Sequence, residues 1–346
     1  IALGVWGAVG GFGAAAGVLL GGVLTDFLSW EWIFFVNVPV GLVALGLVPM
    51  LLGESRDAAA RSFDALGAVL VTTGLTTLVL AITQGRPWGW DSARTIATFV
   101  AAAALLVGFV VWENRVREPL MRFGILRTKT LLGANVAGLI LGTVLFSTFL
   151  MLTLYMQQVL GYSAMKTGFA YLAVAGTSII WANVAAALVN RVGVRPLIAT
   201  GMALLSVSML YFTRIDVGDS YVTALLPGFL VIAMGIAFCF VPISIAALAG
   251  VRQDEAGLAS GLINTTQQIG GALGIAVLSS IAISATDDKL GAGVAVPDAL
   301  VSGFQAAFWV GAATAAVGFV AALVLVRDSE LAPVQATEIE PVLEPV

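Results

Sequence analysis

Apolar residues come in ten long runs separated by short polar stretches. The runs are Ile1–Leu24, Trp32–Leu52, Ala65–Ile82, Thr95–Trp112, Leu131–Gln157, Thr167–Val189, Leu197–Thr213, Tyr221–Leu248, Gly257–Ser284 and Gly303–Val326. Each is long enough, as a helix, to cross ~30 Å of hydrocarbon. A backbone in lipid must satisfy its own hydrogen bonds, which leaves helices or a closed barrel. Barrel strands are short and alternate in polarity, and these runs do neither. The pattern therefore predicts an all-α polytopic membrane protein.

The polar stretches add local detail. Thr25–Glu31 is a short loop, and Asp64 is placed to cap the third helix after the polar segment Gly53–Phe63. Gln84–Arg94 carries Pro87-Trp88-Gly89-Trp90, an aromatic cluster suited to the headgroup level. Glu113–Thr130 is the most basic loop. Gly161-Tyr162-Ser163 marks a turn, as do Asn190–Pro196, Asp216–Ser220, Arg252–Glu255 and the longer loop Thr286–Asp298. Pro39 falls in the first third of the second run, and Pro227 and Pro242 fall in the eighth. Arg327–Val346 is an acidic, proline-containing tail without apolar periodicity and is expected to be disordered.

Basic residues set the expected orientation. The loops after the even-numbered runs carry Arg56, Arg61, Arg115, Arg117, Arg122, Arg127, Lys129, Arg191, Arg195, Arg252 and Arg327, eleven in all. The opposite loops carry five: Arg86, Arg94, Lys166, Arg214 and Lys289. The positive-inside rule places the first set, and hence both ends of the chain, in the cytoplasm.

Composition agrees with this picture and closes off other classes. The chain has 346 residues, 60 % hydrophobic and 10 % charged, with a mean hydropathy of +1.02. A net charge of −4 argues against nucleic acid as a partner. Without histidine there is no imidazole metal site or proton relay, and no cofactor is expected. The single Cys239 cannot form an internal disulfide and reads as a small packing residue. The chain starts at Ile1 within an apolar run, without a basic leader, which reads as a truncated sequence rather than a signal peptide.

Glycine spacing in the first run carries more. Gly13, Gly17 and Gly21 recur every fourth residue, which on a helix leaves one face without side chains. Such a face lets another helix approach backbone to backbone. The whole set, Gly4, Gly13, Gly17, Gly21 and Gly22, resembles the antiporter signature of the major facilitator superfamily, with Val18 where the family usually has proline. The following stretch, Ser29 to Gly41 with Trp32, Asn37, Pro39 and Gly41, resembles the junction between the fifth and sixth helices of the fourteen-helix drug:proton antiporters, the EmrB/QacA type.

This resemblance implies a major facilitator fold with about ten of fourteen helices present, the first four missing. Residues 1–52 would be the last two helices of the N-terminal bundle. Residues 53–130 would be two extra linker helices and a basic cytoplasmic loop, 131–326 the C-terminal six-helix bundle, and 327–346 a disordered cytoplasmic tail. It also implies a multi-pass protein of the bacterial inner membrane, monomeric, with the lipid bilayer, small amphipathic substrates and protons as its partners.

Candidate chemistry within the runs is sparse. Asp26, Glu31, Asp64 and Asp91 all lie at or near run ends, so no intramembrane acid is available for proton coupling. Gly257, Gly261, Asn264, Gln268 and Gly271 form one stripe on the ninth helix. The stripe is either interhelical glue or a wall of the transport pathway; the spacing fits glue at Asn264, close to Gly261, and pathway at Gln268. The segment Gly257–Gly271 also resembles the penultimate helix of the same family. Met151 and Tyr155 offer a soft apolar surface for varied ligands, or ordinary core. Gln158 reads as part of an interfacial belt, and Trp181 and Asn183 are equally ambiguous.

Asn190, Arg191, Gly193 and Arg195 resemble the second-bundle copy of the superfamily's cytoplasmic loop motif, with Asn190 where an acid is usual. The resemblance points to proton-coupled export of drug-like compounds by alternating access, and not to an enzyme. The alternatives are an exporter of one endogenous metabolite, lipid, antibiotic or siderophore, and a non-transporting membrane scaffold or sensor.

Overall fold

The computed structural model describes residues 13, 16, 17, 19–51, 64–116, 119, 120, 123, 124, 129–248, 251 and 256–327. Gly4, the segment 53–63, residues 252–255 and the tail from 328 lie outside the described residues. So does much of the basic loop, including Arg117, Arg122 and Arg127. Helix α1 is described over residues 19–27. There follow α2 (Trp32–Leu51), α3 (Ala65–Trp88), α4 (Ala93–Glu113), α5 (Lys129–Val159), α6 (Ala164–Val192), α7 (Val194–Phe212), α8 (Tyr221–Leu248), α9 (Ala256–Gly291) and α10 (Val296–Leu325). Helices α2 to α10 are each long and apolar enough to cross a membrane.

The helices overrun the apolar runs. α3 continues past Ile82 through Arg86 and Pro87 and stops at Gly89, whose φ of +86° ends the helix. α9 runs on to Gly291, and α10 already begins at Val296, with Pro297 in its first turn, so the loop expected over Thr286–Asp298 shrinks to four residues, 292–295. The turn expected at Asn190–Pro196 reduces to Gly193, also at φ +86°, which closes α6 and opens α7. Hydropathy marks where side chains enter lipid; the backbone ladder persists beyond that until a residue breaks it.

Helices α5 to α10 pack into one bundle. α5 lies against α8, α9 and α10; α7 lies against α8 and α10; α6 lies against α8. Its interior holds Met151, Tyr155, Ile198, Met202, Leu205, Phe212, Phe229 and Phe308. Tyr171 is sandwiched between Phe149 and Phe229, with ring centroids 4.8 and 5.3 Å away. Cys239 is fully buried where α7 meets α8: a Cβ on Gly201 would lie 2.5 Å from its Sγ. It is the packing residue that the sequence suggests.

Helices α3 and α4 form a hairpin that leans on α9 through α3. Asp64 caps α3 as expected, its Oδ1 accepting from the Gly67 N–H at 2.8 Å. The same carboxylate accepts from Trp112 Nε1 at 2.9 Å, tying both legs together at one end. Glu113, read as a loop residue, is the last residue of α4 and is buried beside Asp64: both carboxylates border the space above Gly67. α2 has no buried residue. Its surface is apolar apart from Asn37, as suits a helix in lipid.

Candidate functional site

Among the described residues, the glycine-rich helix approaches the bundle closely at Gly22. A Cβ on Gly22 would lie 2.8 Å from the Ala164 carbonyl oxygen and 2.9 Å from Met165 Cα, so only glycine permits this approach of α1 to the first turn of α6. One turn on, Asp26 Oδ2 accepts from the Met165 N–H at 3.0 Å. Gly13, Gly17 and Gly21 are the residues expected to form the contact face. A Cβ on any of them would meet no atom within 4 Å among the described residues. The close approach therefore falls on the neighbouring face, at Gly22.

Backbone-to-backbone packing is strongest elsewhere, between α5 and α9. A Cβ on Gly142 would overlap the Gln267 carbonyl, and one on Gly270 the Leu139 carbonyl. A Cβ on Gly274 would come within 2.6 Å of the Thr143 carbonyl oxygen. Gly138 and Gly142 on one helix, and Gly270 and Gly274 on the other, are two four-residue glycine spacings that the sequence displays, although only Gly271 of the nearby stripe stood out. Polar side chains reinforce the crossing. Thr143 Oγ1 donates to the Gly270 carbonyl at 3.0 Å, and Thr266 Oγ1 donates to Asn135 Oδ1 at 3.0 Å. Asn135 is buried, and a lone amide in an apolar run carries no spacing signal that would mark it in the sequence.

The amide stripe divides. Gly271 faces Phe146 of α5, whereas a Cβ on Gly257 or Gly261 would meet no atom within 4 Å among the described residues. Asn264 is exposed and donates to the Ser260 carbonyl of its own helix at 2.9 Å. No bond from Asn264 to another helix is present among the described residues; the interhelical amide bond found at this crossing is that of Asn135. Gln268 is exposed and lines a cleft of about 230 Å³ between α9 and α3, with Thr265, Leu75 and Val79.

Met151 and Tyr155 do not join them. They are 1 and 0 % exposed within the bundle, and the Tyr155 hydroxyl donates to the Asp216 carbonyl at 2.7 Å. Tyr155 opens a π-helical turn, Tyr155–Val159, that ends α5. Asn183 is exposed on α6, its amide donating to the Ile179 carbonyl, while Trp181 packs edge-on against Phe238. Gln157 and Gln158 are exposed at the end of α5.

At the junction after α1, Asn37 donates its amide to the Ile33 carbonyl at 2.8 Å, holding the two parts of α2 together. Pro39 sits in the first turn of its second part, Trp32 packs edge-on against Phe35, and Gly41 faces open space. In the loop motif, Asn190 and Arg191 are exposed in the last turn of α6, Gly193 is the reversal, and Arg195 is exposed in the first turn of α7. The Trp88 face carries the Arg94 guanidinium 3.7 Å from its ring centroid. Arg86 at the end of α3 pairs with Asp287 of α9 at 3.0 Å. No cluster able to hold a metal ion occurs among the described residues.

This assembly of apolar spans is matched over residues 1–275 by the family model of the Major Facilitator Superfamily. The chain belongs to that superfamily. Among other superfamily proteins, it is 36 % identical over 305 residues to a puromycin resistance protein of Streptomyces alboniger, covering 87 % of this chain and 60 % of that protein. It is 32 % identical over 289 residues to a tetracenomycin C resistance and export protein of Streptomyces glaucescens, covering 83 % and 54 %. It is 35 % identical over 278 residues to a cephamycin export protein of Amycolatopsis lactamdurans, covering 79 % and 57 %. The chain thus spans little more than half the length of these relatives. As a major facilitator chain of bacterial kind, it is a multi-pass membrane protein.

Proposed function

We propose that this protein is a secondary transporter, not an enzyme, that exports drug-like amphipathic compounds in exchange for protons, and that it is of the fourteen-helix type. On this reading α1 and α2 close the first bundle, the α3–α4 hairpin is the extra pair, and α5–α10 are the second bundle. Chain ends face the cytoplasm, and α1 and α6 meet at the outer surface. The observation that carries the reading is the seating of Gly22 and Asp26 on the first turn of α6: two helical parts joined at their ends by a reversible polar bond suit alternating access. The relatives named for resistance to, or export of, puromycin, tetracenomycin C and cephamycin support the substrate class.

The test is efflux of a fluorescent amphipathic cation from cells producing the complete protein, with and without a protonophore. Energy-dependent efflux that collapses with the pH gradient is expected; accumulation equal to that of control cells overturns the reading. A second reading, export of one endogenous compound, draws on those same three relatives, each named for a single antibiotic. Protection against one compound in a wide panel would select it.

A further inference from the structure

The first turn of α6 has two acceptors for its free N–H groups, and they come from different parts of the chain. Ser163 is the local cap: its Oγ accepts from the Lys166 N–H at 3.2 Å. The Met165 N–H, which has no backbone acceptor within its own helix, is taken by Asp26 at 3.0 Å. A carboxylate at this place is also favoured by the positive end of the helix dipole. Charge-assisted bonds of this type are stronger than neutral ones, and this one spans 139 residues of sequence.

Gly22 makes the reach possible. It lies one turn before Asp26 on the same face of α1, and its missing side chain leaves room for the Ala164 carbonyl, whose oxygen would lie 2.8 Å from a Cβ there. Thr25, between them, returns its hydroxyl to the Gly21 carbonyl at 2.7 Å and leaves the carboxylate as the polar group that crosses to α6. Further along, a Cβ on Gly17 or Gly21 of the first helix, or on Gly176 of α6, would meet no atom within 4 Å among the described residues. Gly176 shares a helix face with Met165 and lies about 16 Å along the axis from it.

We propose that Asp26 is a gating residue: its carboxylate, borrowed as a second cap by α6, latches the outer ends of α1 and α6 shut, and transport requires this latch to open. The proposal rests on the alternating-access reading and on the orientation given above. An apolar contact in lipid gains little over contact with lipid itself, so a single directional polar bond can decide between the joined and parted states. It also breaks and re-forms without displacing a side chain from the bundle core.

The experiment uses the complete protein freed of native cysteines, Cys239→Ser included, with Gly176→Cys as reporter. An impermeant maleimide is added outside intact cells. Loss of one charge-assisted hydrogen bond should raise the outer-open population, and with it the labelling rate, about tenfold in Asp26→Ala. Asp26→Asn, which keeps the shape and an acceptor but no charge, should fall between Asp26→Ala and the parent. Gly22→Leu, which wedges the ends apart from the other contact, should label as fast as Asp26→Ala. Asp26→Cys paired with Met165→Cys and joined by a short reducible cross-linker should stop efflux until reduced.

Unchanged labelling in membrane-inserted Asp26→Asn and Gly22→Leu, with efflux retained, overturns the latch and leaves the transport reading standing. Accelerated labelling in a protein whose parent shows no efflux of any tested compound does the reverse.

Discussion

The carbonyl of Gln267 occupies the space that a Cβ on Gly142 would fill. This places the backbones of α5 and α9 in direct contact at the centre of the bundle. Gly142→Ala should therefore cost about 1–3 kcal/mol, because the obstacle is backbone and cannot rotate away. Gly176→Ala and Gly257→Ala, whose Cβ atoms meet nothing within 4 Å, should be neutral or stabilising by roughly 0.4–1 kcal/mol through the unfolded chain. Melting temperatures in detergent check the contrast; a Gly142→Ala protein as stable as its parent would place the helices further apart than described.

Asn135 and Asn264 look alike in sequence and should behave differently. Asn135→Ala leaves Thr266 without its interhelical acceptor, a loss of roughly 1–3 kcal/mol. Asn264 bonds only within its own helix among the described residues, so Asn264→Ala should change stability by less than about 0.5 kcal/mol. Equal destabilisation by the two would refute the assignment of the glue to Asn135.

Gln268 lines the cleft between α9 and α3. Its replacement by alanine should leave the stability within about 0.5 kcal/mol of the parent, as for other exposed positions. Susceptibility to a compound panel should shift unequally between compounds. A uniform loss of protection together with lower stability would make Gln268 a packing residue.

Asp64 serves two partners at once. Asp64→Ala removes the α3 cap, at about 0.5–2 kcal/mol, and also strands the Trp112 N–H. Trp112→Phe removes only the second bond. A double-mutant cycle between the two should return a coupling of roughly 0.5–3 kcal/mol, and strict additivity would disprove the shared carboxylate.

The Arg86–Asp287 pair puts the α3–α4 loop and the α9–α10 loop on one side. Single cysteines at Asp91 and Asp288 should accept an impermeant thiol reagent from outside intact cells, and one at Asn190 should not. Labelling at Asn190 with protection at Asp91 would invert the orientation. The pair itself is partly exposed, so Arg86→Gln should cost no more than about 1 kcal/mol.

The class of this protein could be read from the chain alone. Apolar runs located its spans, since transfer into lipid is a property of each side chain and sums locally. The Asp64 cap was legible because it depends on residues three apart. The superfamily was legible in the glycine signature, and the family match bears that out.

Which faces meet emerges only from the packing. In water, burial marks the inner face of a helix; in lipid, a face turned to the bilayer and one turned to a neighbour are equally apolar. Gly17 and Gly142 therefore look equivalent along the chain, yet one faces open space and the other a backbone carbonyl. For the same reason Tyr155, Asn135 and Asn264 could not be sorted into core, glue and surface from spacing. The bond from Asp26 to Met165 joins positions 139 residues apart, and its partner is a backbone N–H, a group every residue but proline carries. No local pattern encodes such a contact; it exists because Gly22 lets two helix ends approach.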